Sequence, residues 1–110
     1  MFKYNAKLIR VIDGDTIDAE IDLGFHTFVK KRIRLYKIDA PETRTRDKSE
    51  KILGKKAKSR LLEILNSNSG TFVLRSHGIG KFGRCLGEIF INNVSINETL
   101  IKEGHASRYN

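Results

Sequence analysis

The chain reads as short runs of strand-forming residues interrupted by two stretches with helical spacing. Residues 7–12 and 16–21 are β-rich and are joined across Asp13-Gly14, a strong hairpin signal. A third run, residues 25–38, is long for one strand and follows a turn at residues 22–24. Within it Ile33 and Leu35 alternate with Arg32, Arg34 and Tyr36, so the apolar pair faces one side and the polar set the other. Residues 39–54 have no period and read as a polar loop, of a length that in compact domains marks function or mobility. The period then changes. Ala57, Leu61 and Leu65 recur at four-residue spacing with Leu62 beside them, which predicts a helix over 55–65, ended by residues 66–70. Strands are predicted at 71–76 and 84–91, the second with Gly87 as a candidate bulge. Asn92-Asn93 turns the chain. Ser95, followed three residues later by Glu98, is a capping-box pattern opening a short helix that stops at Gly104.

Three strands, a helix, two strands and a helix make a chain that is mainly β with helices, of the α+β class. Meandering short strands with few helices favour a small closed or partly open barrel. At 110 residues, with no internal repeat or shift in composition, residues 1–110 are expected to form a single domain around one core. The 39% of hydrophobic residues suits a folded chain rather than a disordered one. The N-terminus has no apolar signal core and no stretch approaches membrane-spanning length, so the expectation is a cytoplasmic monomer without a membrane partner, with a secreted form left open. The single cysteine, Cys85, excludes an internal disulfide and a multi-cysteine zinc site, and reads as a small strand residue.

Charge changes the picture. Lys and Arg number 21 against 13 Asp and Glu, a formal charge of +8. Such an excess favours a polyanionic partner, because neutralising phosphates releases counterions, although it also serves solubility. The excess is concentrated. Between residues 44 and 60, Arg44, Arg46, Lys48, Lys51, Lys55, Lys56, Lys58 and Arg60 stand against only Asp47 and Glu50. Nothing resembles a groove-reading helix, so little sequence specificity is expected.

Three clusters carry candidate chemistry: Asp13-Gly14-Asp15-Thr16, the stretch from Arg34 to Glu42, and Gly80-Lys81-Phe82-Gly83-Arg84. Alone, each is ordinary: a hairpin turn, a proline turn at Pro41, a glycine-flanked loop. Together they are more. Asp15, Asp39 and Glu42 all fall at strand ends or in the adjoining loop. Three carboxylates in one place repel unless a cation joins them, and calcium takes six to eight oxygen ligands. His26, His77 and His105 are scattered and form no zinc set. Arg34 lies five residues before Asp39 on the same predicted strand, and Arg84 follows the glycine loop. Two guanidiniums beside a cation make a phosphate clamp, or else surface salt bridges to nearby carboxylates.

In these three motifs, in their order, and in the capped helix from Ser95, residues 7–106 resemble the staphylococcal nuclease family. The resemblance implies an OB-type five-stranded barrel with helices. It implies hydrolysis of DNA and RNA phosphodiesters with calcium, leaving 3′-phosphate ends. It also implies roles: Asp15, Asp39 and the backbone of Ala40 for the metal, Glu42 as general base or water-positioning carboxylate, and Arg34 and Arg84 on the phosphate. Lys81 would lie near the bound nucleotide, and Tyr109 is the candidate for stacking on it. Ala40 and Gly80 stand where the best-known secreted member has threonine and aspartate, and that member continues past the position of Asn110 into a third helix. The rival reading is a non-catalytic OB-type module that binds single strands or a protein partner. Such a module has no need of the full set of Asp15, Arg34, Asp39, Glu42 and Arg84.

Overall fold

A computed structural model describes residues 2–80 and 83–109. The elements are β1 (Lys3–Asp13), β2 (Thr16–Asp22), β3 (Phe28–Leu35), β4 (Ile38–Asp39), α1 (Lys48–Asn66), β5 (Thr71–Ile79), β6 (Cys85–Ile91), β7 (Val94–Ser95), α2 (Ile96–Lys102) and β8 (Ser107–Arg108). Antiparallel ladders run in the order β3-β2-β1-β5-β6. A parallel pairing of β3 with β6, Ile33 opposite Cys85 and Leu35 opposite Gly87, closes these strands into a barrel. The result is the OB-type five-stranded α+β architecture anticipated above. β4 and β8 form a separate two-stranded ribbon, Asp39 opposite Ser107.

Side-chain alternation sets which face turns inward. Ile17, Ala19 and Ile21 of β2 and Ile33 and Leu35 of β3 are buried, while Asp18, Glu20, Arg32 and Arg34 lie between them on the outer face. Ala57, Leu61 and Leu65 are the buried stripe of α1; Leu61 and Leu65 join the strand residues in one core, with Ile96 and Leu100 of α2. None of the described helices is long and apolar enough to cross a membrane.

On the outer face Asp18 is gripped from both sides. Arg32 Nε donates to its Oδ1 and Arg10 Nε to its Oδ2, each at 2.8 Å. The Arg32 hydrogen bond foremost, with Arg10 helping and burial opposing, holds its carboxyl down at about 2. A carboxylate depressed in the folded state stabilises the fold above its unfolded value and loses that contribution as pH falls through the folded value. The Asp18 contribution is therefore expected to vanish between about pH 4 and pH 2. A thermal-melt series over that range should show wild type falling toward the Asp18→Asn variant. Parallel curves for the two proteins would refute the assignment.

Several local expectations need correction. The run 25–38 is split into β3 and β4 by a turn at Tyr36-Lys37, where Lys37 adopts φ 59°. The predicted loop 39–54 is too long, because α1 begins at Lys48 rather than Lys55. Asp47 caps it, its Oδ1 accepting from Ser49 N–H at 2.9 Å and Glu50 N–H at 3.2 Å. Gly87 marks no bulge. It sits in regular register opposite Ser76, and the irregularity lies on β5 between Ser76 and Ile79. Its role is clearance, since a Cβ there would come within 2.3 Å of the Leu74 side chain.

Candidate active site

The barrel rim at the β1–β2 turn gathers the first group. Asp15 lies in that turn, and its carbonyl accepts the Leu35 N–H at 2.8 Å. Register places Thr16 opposite Arg34, so the turn sits beside the C-terminal end of β3. The Asp15 residue is only 6% exposed, and its carboxylate has three partners. Oδ2 accepts the Ala40 N–H at 2.8 Å, Oδ1 accepts the Thr16 hydroxyl at 2.9 Å, and Arg34 Nη1 lies 3.3 Å from Oδ2.

Arg34 is the hinge of the arrangement. Its Nη1 donates to the Ile38 carbonyl at 2.8 Å, and its Nη2 reaches Asp39 Oδ1 at 3.3 Å. Arg34 and Asp39 are thus not on one strand, as their spacing suggested. The turn at Tyr36-Lys37 folds β4 back so that Asp39 meets the guanidinium. Asp39 remains exposed, whereas Asp15 and Ala40 are buried. One buried and one open carboxylate therefore flank a single cation.

Two residues whose structural roles the sequence did not reveal hold this geometry. Asn97, 3% exposed, donates through Nδ2 to the carbonyls of Tyr36 (3.2 Å) and Gly87 (3.3 Å) and accepts from Ile89 N–H at 3.1 Å. It ties α2 and β6 to the turn that carries β4. Its only signal was a polar residue inside the capping motif after Ser95. Asp13 accepts the Thr43 hydroxyl at 2.6 Å and so pins the loop 40–47 to the end of β1. Beneath the turn, the Tyr36 ring stacks on His77 with centroids 3.9 Å apart.

The remaining predicted residues are placed differently. Glu42 lies on the pinned loop with its side chain exposed. Its N–H donates to Glu50 Oε2 at 3.2 Å, and among the described residues its own carboxylate takes no hydrogen bond or ion pair. Gly54 in α1 lies against its backbone; a Cβ there would sit 2.4 Å from the Glu42 carbonyl oxygen. Gly14 serves the same end, since a Cβ would come 2.6 Å from that of Ala57. Arg84 directly precedes β6 and is half-buried. Leu86, two residues on, is opposite Arg34, so alternation puts Arg84 on the face that Arg34 occupies. Tyr109 is exposed, and its N–H donates to the Lys37 carbonyl at 2.9 Å, which brings it to the edge of the same turn. Lys81 lies outside the described residues. In the basic stretch, Arg60 is committed to Glu63 and Glu103, while Lys48, Lys51, Lys55 and Lys56 are exposed.

Chemically, the rim offers hard oxygen donors and guanidinium N–H groups. Among the described residues no three His, Cys, Asp or Glu side chains are gathered as a metal set. The donors that converge are the carboxylates of Asp15 and Asp39, which suit a hard cation completed by water and main-chain oxygens rather than zinc.

The structure is thus a closed OB-type barrel whose rim carries two carboxylates about one guanidinium. The chain belongs to the staphylococcal nuclease family: the family described as staphylococcal nuclease homologue matches residues 32–110. It is 32% identical over 103 residues to Endonuclease YncB of Bacillus subtilis, covering 93% of this chain and 46% of that protein. It is 32% identical over 100 residues to the SPbeta prophage-derived endonuclease YokF of the same organism, covering 90% of this chain and 32% of that protein. With the Thermonuclease of Staphylococcus hyicus it shares 30% identity over 100 residues, 91% of this chain and 56% of that protein. The chain thus spans about half, or less, of the length of these relatives.

Proposed function

We propose that this protein hydrolyses phosphodiester bonds of DNA and RNA with calcium, with little sequence preference and leaving 3′-phosphate ends. The observation that carries this reading is Arg34 held 3.3 Å from each of two carboxylates, Asp15 and Asp39, on one rim. A module that only binds strands has no need of a buried Asp15 carboxylate held beside Arg34 by the Ala40 N–H and the Thr16 hydroxyl. The relatives named endonucleases and thermonuclease support the same reading.

Held through Asp15, Asp39 and the Ala40 backbone, calcium would supply Lewis-acid polarisation of a phosphate oxygen. Arg34 at the end of β3 and Arg84 just before β6 bind the non-bridging oxygens and stabilise the charge that builds during in-line attack. Glu42, open to solvent on a loop anchored at Asp13 and Gly54, orients the attacking water and accepts its proton. Lys81 and Tyr109 contact the nucleotide beside the scissile phosphate. The Asp15 hydrogen bonds from Ala40 and Thr16 fix its carboxylate before substrate arrives.

The test is cleavage of single- and double-stranded DNA and RNA with calcium or with chelator. Wild-type cleavage should vanish with chelator. Arg84→Ala should lose about 10²–10³ in rate and Glu42→Ala about 10²–10⁴. Binding of nucleic acid without cleavage under any of these conditions would favour the non-catalytic module instead.

A further inference from the structure

Away from the rim, the outer face of β1–β3 carries charge that the proposed chemistry leaves unused. Phe28, Lys30, Arg32 and Arg34 share one face of β3. Beside them lies a groove of about 440 Å³ lined by Ile9, Arg10, Asp18, Lys30, Lys31 and Arg32, four cations against one carboxylate, with Glu20 across the β2–β3 ladder from Lys30. Asp18 binds Arg10 through Nε and Arg32 through Nε and Nη2, which leaves further N–H donors on both guanidiniums for another oxyanion. Lys30 and Lys31 are exposed and form no ion pair among the described residues. The register shift in β1 between Leu8 and Arg10 coincides with Ile9, which is 48% exposed and gives the groove an apolar floor.

The column does not end in charge. Phe28, two residues beyond Lys30, is 52% exposed, and Phe25 at the hairpin tip is fully exposed. Phe25 is held at φ 54°, a left-handed conformation that is costly for a bulky side chain and that here presents a ring wholly to solvent. From Arg34 to Phe28 the strand rise spans roughly 20 Å.

We propose that this face is a track for single-stranded polynucleotide leading away from the rim. Phosphates lie along Arg34, the Arg10–Arg32 pair and Lys30–Lys31, and bases stack on Phe28 and Phe25. The proposal rests on the nucleic-acid reading of the rim and adds the strand's path and its single-stranded form. Projecting rings favour a single strand because stacking needs unpaired bases, whose faces are hidden inside a duplex. The competing surface is α1, with its exposed Lys48, Lys51, Lys55 and Lys56.

Fluorescence anisotropy with a labelled oligodeoxythymidylate, in chelator and over a salt series, separates these surfaces without relying on cleavage. Charge removal in Lys30→Gln/Lys31→Gln should make the slope of log affinity against log salt shallower by about 1.4, as two phosphate contacts are lost. Phe25→Ala and Phe28→Ala should each weaken binding roughly tenfold with the slope unchanged. Lys51→Gln/Lys55→Gln should leave the slope nearer wild type, and an unlabelled duplex of equal length should compete more weakly than the single strand. Thermal melts confirm that each variant is folded. An unchanged slope in the Lys30/Lys31 variant, a larger change in the α1 variant, or stronger competition by duplex each overturns the track. If cleavage is absent while these binding results hold, the catalytic reading falls and the track stands. If cleavage is present while they fail, the reverse is true.

Discussion

Arg34→Lys is expected to lose about 10²–10³ in turnover while keeping the charge of the site unchanged. The reason is geometric. One guanidinium spans the Ile38 carbonyl at 2.8 Å and the Asp15 and Asp39 carboxylates at 3.3 Å each. An ammonium is a compact point charge and cannot hold that fork. The Asp15 side chain is only 9% exposed, so losing its cation matters to the fold as well. Arg34→Ala leaves Asp15 with the Ala40 N–H and the Thr16 hydroxyl alone, and removing one partner of a buried pair costs about 3–5 kcal/mol. Arg34→Lys should cost less, about 1–2 kcal/mol, because charge is retained. Turnover against folding stability in the two variants separates these effects. If the lysine variant cuts within tenfold of wild type, the planar fork is not what the site uses.

The second large effect is expected at Gly54. In an exposed helix interior, Gly→Ala stabilises by about 1 kcal/mol. Here the new Cβ would meet main chain at every near contact: the Glu42 oxygen at 2.4 Å, the Glu42 carbon at 2.6 Å and the Pro41 oxygen at 2.8 Å. Backbone cannot swing aside as a side-chain tip can. Overpacking of this kind costs about 1–3 kcal/mol and outweighs the gain in helix propensity. The segment pushed away carries Glu42, and a shift near 1 Å at a reacting group can cost about 10²-fold. Gly54→Ala should therefore lower both the melting temperature and the rate constant for cleavage. A variant that melts higher and cuts normally would show that the loop and α1 are not in the contact described.

What could be read from the sequence was whatever a local period encodes. The inward Ile33 and Leu35, the Ala57-Leu61-Leu65 stripe and the Ser95 cap repeat at fixed intervals and were legible. The order of elements then sufficed for a barrel. Contacts between distant residues were not legible. The start of α1 was hidden because residues 39–54 show no apolar period; the glycine within its first turns, Gly54, answers to the Glu42 backbone, twelve residues away in sequence. The spacing of Asp47 and Glu50 was an available signal for the true start. At the site, the residue types of Asp15, Arg34 and Asp39 were legible, but their meeting depends on a left-handed Lys37 and on the β2–β3 register. Asp13 and Asn97 lie inside motifs that were legible, but their tethering roles were not, because their partners Thr43 and Tyr36 are far along the chain.

The parallel seam between β3 and β6 joins segments separated by nearly half the sequence. Pairing so remote carries a loop-closure cost that must be met before its contacts repay it. Everything through α1 can emerge and collapse with Asp15, Arg34 and Asp39 aboard, yet the second guanidinium arrives only with the closing strand. A nascent or clipped polypeptide lacking β6 would thus be both an open barrel and short of one arm of the proposed phosphate grip, so closing the fold and completing that grip would be one event.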